Sequence, residues 1–253
     1  MLQNMDKDLI SIIIPVYNAE KFLKETIETI KSQTYINWEA IFIDDNSTDN
    51  SKEIIKQNLQ DNIKLVELSK NFGPAIARNE GLKIAKGRYI AYLDADDLWA
   101  ENKLEVQHKV MKENDYAFSY TSYKHLNENG KVSKSIKVQE KLDYKEALKR
   151  IRVLTITSMF DLEKVDKKLL IMPDLEYTED VATWWKILKE GYIAYGINEP
   201  LAFYRKTNNT RSSNKIKSMH RRWRLYRKQE KLSIIKSLYY FTYYIANAVL
   251  RRI

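Results

Sequence analysis

Four short apolar runs, separated by helix-patterned stretches, constrain this chain more than any other feature. Residues 9–16, 38–43 and 89–93 are brief and nearly unbroken in apolar character, and residues 63–68 are mostly apolar, interrupted by Lys64 and Glu67. Strands covered by other structure on both faces have that pattern. Between the first two runs, residues 20–34 place Phe22, Leu23, Ile27 and Ile30 at helical spacing. Residues 51–59 and 74–86 read as the next two helices. A β-α-β-α-β-α-β order implies an α/β fold with a mostly parallel sheet, flanking helices and right-handed crossovers.

Two of these runs end abruptly in carboxylates. The second leads into Asp44-Asp45-Asn46-Ser47-Thr48-Asp49, and the fourth into Asp94-Ala95-Asp96-Asp97. Both clusters fall at C-terminal strand ends, the edge where open α/β sheets bind ligands, so both are expected to face one crevice. Clustered carboxylates repel one another unless a cation neutralises them, and hard oxygen ligands suit Mg²⁺ or Mn²⁺. The bland alternative is a solvated Asp turn, with Asp97 capping a helix that starts near Leu98.

Charge is unevenly distributed. The whole chain of 253 residues carries a formal +9, yet residues 202–253 hold fourteen Lys/Arg against one acidic residue, Glu230. The first 201 residues are therefore mildly acidic, and a strongly basic tail follows. Such a tail points to a polyanionic partner: nucleic acid, an anionic membrane surface or a phosphorylated ligand. There is no Cys, which excludes thiol chemistry and a disulfide framework and is compatible with a cytoplasmic setting. Three scattered His argue against a His-rich metal site, and residues 1–10 lack the apolar core of a secretory signal.

The second half is less regular. Residues 102–114, 144–150 and 179–190 read as helices, the last ended by Gly191; residues 116–124, 155–160, 193–197 and 201–205 read as strands. The tail from 232 to 250 has a wide apolar face, with Ile234, Ile235, Leu238, Phe241, Ile245, Ala248 and Val249. Ser233, Ser237, Tyr240, Tyr244, Asn247 and Arg251 form a narrower polar stripe. Its length approaches a membrane span, but its tyrosines and Lys236 favour lying in the interface; packing against the rest of the protein is the other reading.

Five motifs in order then resemble one family. They are Ser11-Ile-Ile-Ile-Pro-Val-Tyr-Asn18, Asp44-Asp-Asn-Ser-Thr-Asp49, Asn71-Phe-Gly-Pro-Ala-Ile-Ala-Arg-Asn-Glu-Gly81, Asp94-Ala-Asp-Asp97, and Glu179-Asp180 followed by Trp184-Trp185. Across about residues 9–213 the chain resembles the family 2 glycosyltransferases of GT-A fold, and its tail is similar to that of bacterial teichuronic-acid type transferases. The resemblance implies one catalytic domain, 1–214. Within it, 1–99 would bind the nucleotide sugar and 100–214 the acceptor; a basic amphipathic tail, 215–253, would follow.

It also implies roles. Pro15, Tyr17 and Asp45 would hold the nucleotide base. Asp94 would bind ribose or metal, and Asp96 the Mn²⁺ or Mg²⁺ that neutralises the leaving diphosphate. Arg78 would reach the donor or form a structural ion pair with an Asp. Asp180 would be the general base for the acceptor hydroxyl, with Glu179 and Trp184 near the acceptor sugar. Arg205 and Arg211 would lie in a loop that closes over the diphosphate, where many relatives carry a His and this chain has Thr207.

The expected activity is inverting transfer from a nucleotide sugar, UDP-linked, carrying a hexosyl or N-acetylhexosaminyl group. The expected acceptor is a glycan or polyprenyl-diphosphate-linked intermediate of surface polysaccharide. The expected location is cytoplasmic, peripheral on the inner face of a bacterial membrane, with no nucleic-acid partner. A nucleotidyltransferase would need a Gly-rich basic loop after the first strand, where Pro15-Val-Tyr-Asn-Ala-Glu20 stands instead. A nucleic-acid-binding protein would spread its basic residues over a binding face rather than confine them to a tail.

Overall fold

The computed structural model describes residues 6–127, 129–150, 153–175, 177–206 and 215–250. The first half runs β1 (Asp6–Val16), α1 (Glu20–Lys31), β2 (Trp38–Asp44), α2 (Ser51–Lys56), β3 (Ile63–Glu67), α3 (Pro74–Ile84) and β4 (Gly87–Tyr92). The second continues with β5 (Leu98–Trp99), α4 (Lys103–Glu113), β6 (Phe118–Asn127), β7 (Lys141–Leu142), α5 (Tyr144–Lys149), β8 (Ser158–Asp161), α6 (Glu179–Lys189) and β9 (Ala194–Lys206). Helices α7 (Lys215–Arg224) and α8 (Ile234–Leu250) close the chain.

Among the described residues the strands form one nine-stranded sheet, ordered β3-β2-β1-β4-β8-β6-β9-β5, with β7 paired to β9. The four strands of the first half are parallel, as the alternation of strands and helices requires. Strand β8 then runs antiparallel to β4 and β6, so the second half of the sheet is mixed. The apolar runs are covered on both sides because side chains alternate across the sheet. Ile13, Ile41, Ile43, Ile90 and Tyr92 enter one core. Ile10, Ile12, Ile14, Ala40, Phe42, Ala91 and Leu93 enter the other, on the opposite face.

Three local expectations are corrected. No helix starts at Leu98: Leu98 and Trp99 pair with Phe203 and Ala202 of β9, and the helix begins at Lys103. Residues 155–160 are not all strand, because Thr155–Thr157 forms a 3₁₀ turn before β8. The two late strands are one, β9. Asn198-Glu199-Pro200 lies between the two expected strands; the ladder to β6 shifts register there, and such an irregularity tolerates the missing N–H of Pro200.

The chain after β9 returns to the core at residues 222–226. Leu225 and Tyr226, in a π-helical turn (Leu225–Gln229), are buried with the second-half core. The Tyr226 ring stacks 5.4 Å from Trp185, and its hydroxyl donates to the Leu148 carbonyl at 2.5 Å. Helix α8 lies against α5 and this turn through Ser237, Tyr240, Phe241 and Tyr244, most of them from its polar stripe. Its apolar side faces outward: Ile234, Ile235 and Leu238 are 59%, 80% and 51% exposed. Tyr226→Ala is expected to cost about 3–5 kcal/mol in urea unfolding, the usual range for emptying a buried aromatic site. A cost under about 1 kcal/mol would show the tail packing independently of the domain.

Candidate active site

The C-terminal edge of β1, β2 and β4 opens into a cleft of about 1270 Å³. Parallel pairing sets its floor, because Val16 stands beside Asp44 and Ile13 beside Tyr92, so all three chains leave the sheet together. Asn18 and Asn46 then take positive φ, which Asn tolerates better than most residues, and turn the chain away from the strand ends. Pro15, Tyr17, Asp45, Arg78, Asp94, Asp96, Glu179, Asp180 and Arg205 all line this cleft. Arg211 lies outside the described residues, as does Thr207.

Asp45 does more structural work than the sequence suggests. It is buried, and its two carboxylate oxygens accept the Phe72 and Gly73 N–H groups, each at 2.7 Å. Its neighbour Asp44 accepts the Ser47 N–H at 3.0 Å and holds the turn that follows β2. The Asp45 clamp fixes the start of α3, where Gly73 adopts φ +89 and Pro74 occupies the first helical turn. Two turns on, Gly81 lets the helix sit on the sheet; a Cβ there would come within 2.6 Å of Ile13. Arg78, on the same side at i−3, is thereby driven inward.

Arg78 is buried and joins the two halves of the site. Its Nη2 meets Asp94 Oδ1 at 2.6 Å, and its Nη1 meets Glu179 Oε1 at 3.5 Å. Burial disfavours its charge, but Asp94 and then Glu179 outweigh that and raise its pKa. Burial also raises the pKa of Glu179, with the Asp180 charge adding and Arg78 opposing. Asp180 is raised by burial too, against the pull of Arg78. The Thr155 hydroxyl donates to Asp180 Oδ2 at 3.2 Å and the Val181 N–H to Oδ1 at 2.7 Å, fixing the carboxylate. The 3₁₀ turn that replaced the expected strand is what aims Thr155.

The Asp94–Asp97 turn divides its carboxylates. Asp94 and Asp96 line the cleft, whereas Asp97 is buried and accepts the Arg205 N–H at 2.6 Å. Burial, followed by the Asp96 and Asp94 charges, pushes the Asp97 carboxyl well up. Arg205 is the penultimate residue of β9, which corrects its expected place in a loop. Its Nε donates to the Asp96 carbonyl at 2.7 Å, its Nη2 pairs with Glu25 at 2.7 Å, and its guanidinium lies 4.4 Å above the Phe22 ring. Pairing of β9 with β5 brings it there, so Arg205 props the turn that presents Asp96. Trp184 is also corrected. It stacks 4.9 Å from Phe160 in the core, and α6 buries it because its apolar face includes Val181, Trp184, Trp185 and Leu188.

Hard oxygen ligands are present where a divalent cation would be expected. Asp94 gives one oxygen to Arg78 and retains the other, and Asp96 lies two residues away on the same turn. Among the described residues no group of three or more His, Asp or Glu side chains is placed to hold an ion. Two carboxylates fit Mg²⁺ or Mn²⁺, which commonly take their remaining ligands from water and substrate phosphates. The sequence reading missed Thr155, Glu25, Phe22 and Arg222. Each acts through contacts made by distant segments, and no local signal marks them.

Comparison with known proteins identifies the family and the fold. A family model described as glycosyl transferase family 2 matches residues 11–164, and the chain belongs to that family. It is 40% identical over 250 residues to the putative teichuronic acid biosynthesis glycosyltransferase TuaG of Bacillus subtilis (strain 168), covering 98% of each chain. It is 37% identical over 223 residues to the Escherichia coli UDP-Glc:alpha-D-GlcNAc-diphosphoundecaprenol beta-1,3-glucosyltransferase WfgD, covering 87% of this chain and 85% of that one. The fold matches S. aureus TarS 1–349 in complex with UDP-GlcNAc, with TM-score 0.73, 18% identity, and coverage of 93% of this chain and 71% of that one. It also matches the mannosyltransferase PcManGT from Pyrobaculum calidifontis in complex with GDP-Man and Mn²⁺, at TM-score 0.62 and 20% identity over 90% and 66% of the two chains. The protein is a glycosyltransferase of GT-A fold.

Arg78→Met removes the cation shared by Asp94 and Glu179. Breaking a buried pair costs on the order of 3–5 kcal/mol. Without it, the Glu179 and Asp180 pKa values rise further in the folded state. A carboxyl with a raised folded pKa is stabilising below its unfolded pKa, roughly 4, and loses that contribution as pH climbs. The deficit relative to the wild type is therefore expected to be small near about pH 4 and largest near about pH 8 by urea unfolding. A deficit that shrinks as pH rises would contradict the pairing.

Proposed function

We propose that the protein is a metal-dependent, inverting glycosyltransferase. It moves a hexosyl or N-acetylhexosaminyl group from a UDP-sugar to a hydroxyl of a diphosphate-lipid-linked glycan in surface polysaccharide synthesis. The observation that carries this is the meeting of Asp94 and Asp96, from the end of β4, with Asp180, from the start of α6, in one cleft spanned by Arg78. The UDP-sugar and the lipid-linked acceptor are supported by TarS, whose structure contains UDP-GlcNAc, and by WfgD, whose name gives a diphosphoundecaprenol acceptor.

Tyr17, 43% exposed at the mouth of the cleft, offers a ring on which a pyrimidine can stack. Asp45 uses its oxygens on Phe72 and Gly73 and keeps lone pairs for a ring N–H. Asp94 and Asp96 would hold Mn²⁺ or Mg²⁺, which when bound neutralises charge on the departing diphosphate. The acceptor hydroxyl attacks C1 of the donor sugar opposite the diphosphate, the C1–oxygen bond to phosphate breaks, and Asp180 takes the hydroxyl proton. Burial makes Asp180 a stronger base than an exposed carboxylate, and its bonds to Thr155 and Val181 hold it in one orientation. Glu179 is committed to Arg78, which leaves the proton to Asp180.

Membrane attachment through the tail belongs to the same proposal. Among the described residues no helix is long and apolar enough to cross a membrane. Helix α8 exposes Ile234, Ile235 and Leu238, with Lys231 and Lys236 also exposed nearby. That combination suits the surface of an anionic bilayer.

Two experiments follow. Asp180→Asn is expected to lower turnover by roughly a hundredfold or more with donor affinity retained; if Glu179→Gln does this and Asp180→Asn does not, Asp180 is not the base. The double substitution Ile235→Glu/Leu238→Glu is expected to weaken cosedimentation with anionic liposomes about tenfold or more without changing the urea midpoint, since both side chains face solvent. Unchanged cosedimentation would remove α8 as the membrane contact.

A further inference from the structure

Arg222 is a buried cation whose terminal donors lack a well-placed partner. It sits on α7, 2% exposed, in the cleft wall beside Ser218, Arg221 and Tyr244. Aromatic rings hold the flat guanidinium: its carbon lies 4.7 Å from the Trp185 centroid, 5.0 Å from Tyr244 and 5.8 Å from Tyr226. Stacking satisfies the faces of the group and leaves its edge donors unsatisfied. Neither Nη1 nor Nη2 makes a hydrogen bond of good geometry; the Tyr226 hydroxyl is its polar neighbour and favours its charge, and among the described residues no carboxylate forms an ion pair with it. Buried charges are normally paired and buried donors normally bonded, so a cation of this kind in the wall of a ligand cleft calls for an anionic oxygen ligand. A planar fork of donors matches phosphate oxygens in particular.

The position of Arg222 selects which phosphate. The donor diphosphate belongs to the turn at the end of β4, with Asp94 and Asp96. Arg222 stands on the wall built by the other elements: its ring neighbours Trp185 and Tyr244 come from α6, the helix that Asp180 opens, and from α8, and Asp180, Arg222 and Tyr244 line the same cleft. A second cationic group continues outward. Arg221 lies 4.0 Å from the Tyr177 ring and borders both the cleft and an adjoining cavity of about 220 Å³, which Arg224 and Lys228 line together with one carboxylate, Asp174. Helix α8, which supplies Tyr244 to the cleft, turns an apolar surface outward through Ile235 and Leu238. A ligand with a phosphate head and an apolar tail fits that arrangement.

We propose that Arg222, with Arg221 beside it, forms an anion subsite at the acceptor end of the cleft, which holds the phosphate groups of a diphosphate-linked acceptor. This rests on the glycosyltransferase reading above and adds the residue that recognises the acceptor's diphosphate. Arg222 places the acceptor sugar against Asp180 without contacting the donor.

The test uses the full chain saturated with UDP and Mn²⁺, titrated calorimetrically with octyl diphosphate, octyl glucoside and inorganic pyrophosphate. The wild type is expected to bind octyl diphosphate in preference to both others. Arg222→Gln is expected to weaken octyl diphosphate by roughly tenfold to a hundredfold, the loss of a hydrogen-bonded charge, with UDP affinity within about twofold of the wild type. Arg222→Lys, which retains charge but not the fork, covers the case in which the Gln variant does not fold. It is expected to lose most of the same affinity. Unchanged octyl diphosphate binding in a folded variant overturns the subsite. A parallel loss of UDP affinity, or displacement of UDP by octyl diphosphate, places Arg222 on the donor and overturns it as well. Pyrophosphate binding as tight as octyl diphosphate leaves a free-phosphate site and overturns the acceptor assignment. A wild type that binds no nucleoside diphosphate overturns the glycosyltransferase reading and this inference together, whereas normal UDP binding with any of the other results overturns the inference alone.

Discussion

The Arg78 guanidinium, held between Asp94 and Glu179, is the contact on which the site depends. Asp94 follows β4 of the parallel half, and Glu179 opens α6 of the mixed half. Three carboxylates at this depth, with Asp180 third, would repel one another and resist burial. One cation that cannot lose its charge makes their approach tolerable. The backbone is arranged to deliver it. Asp45 clamps Phe72 and Gly73, Gly73 starts α3 in a conformation suited to glycine, and Gly81 lets α3 approach the sheet. Motifs that look separate in sequence are therefore parts of one support.

The same arrangement separates the duties of neighbouring acids. Asp96 faces the cleft while Asp97 turns inward to the Arg205 N–H. Glu179 is absorbed by Arg78, and Asp180 is fixed by Thr155 and its own helix start. Adjacent carboxylates on one segment point to different surroundings, and those surroundings set their chemistry. Under the proposed function, this division would let one acid serve the metal and donor while another accepts a proton.

The parallel half was legible in the sequence because its runs are short and mostly apolar, and the three that carry the cleft edge are buried on both faces, so their ends could be placed and with them the Asp clusters. What was not legible depends on distant segments. Asp97 looks like a cap until β9 arrives with Arg205, and Arg205 looks like a loop residue until β5 pairs with β9. Trp184 and Trp185 are adjacent aromatics of equal promise; only the packing of α6 sends one to Phe160 and the other to Tyr226 and Arg222. The apolar face of α8 suggested a surface-seeking helix, but the Tyr and Ser stripe is what meets the core, because α5 and the π turn offer hydrogen-bonding and aromatic partners there. Arg222 was hidden in a run of basic residues, where spacing alone does not distinguish a buried guanidinium from its exposed neighbours.

Under the proposed function, Arg78 couples the donor end of the cleft to the acceptor end. The most direct measurement is a double-mutant cycle on UDP affinity with Glu179→Gln and Arg78→Met. Removing the Glu179 charge lets Arg78 bear more fully on Asp94 and the donor phosphates. Glu179→Gln is therefore expected to change UDP affinity in the wild-type background and to lose that effect once Arg78 is replaced, with a coupling energy above about 0.5 kcal/mol. Additive effects within about 0.3 kcal/mol would mean that the two halves do not communicate through Arg78, and would contradict the account.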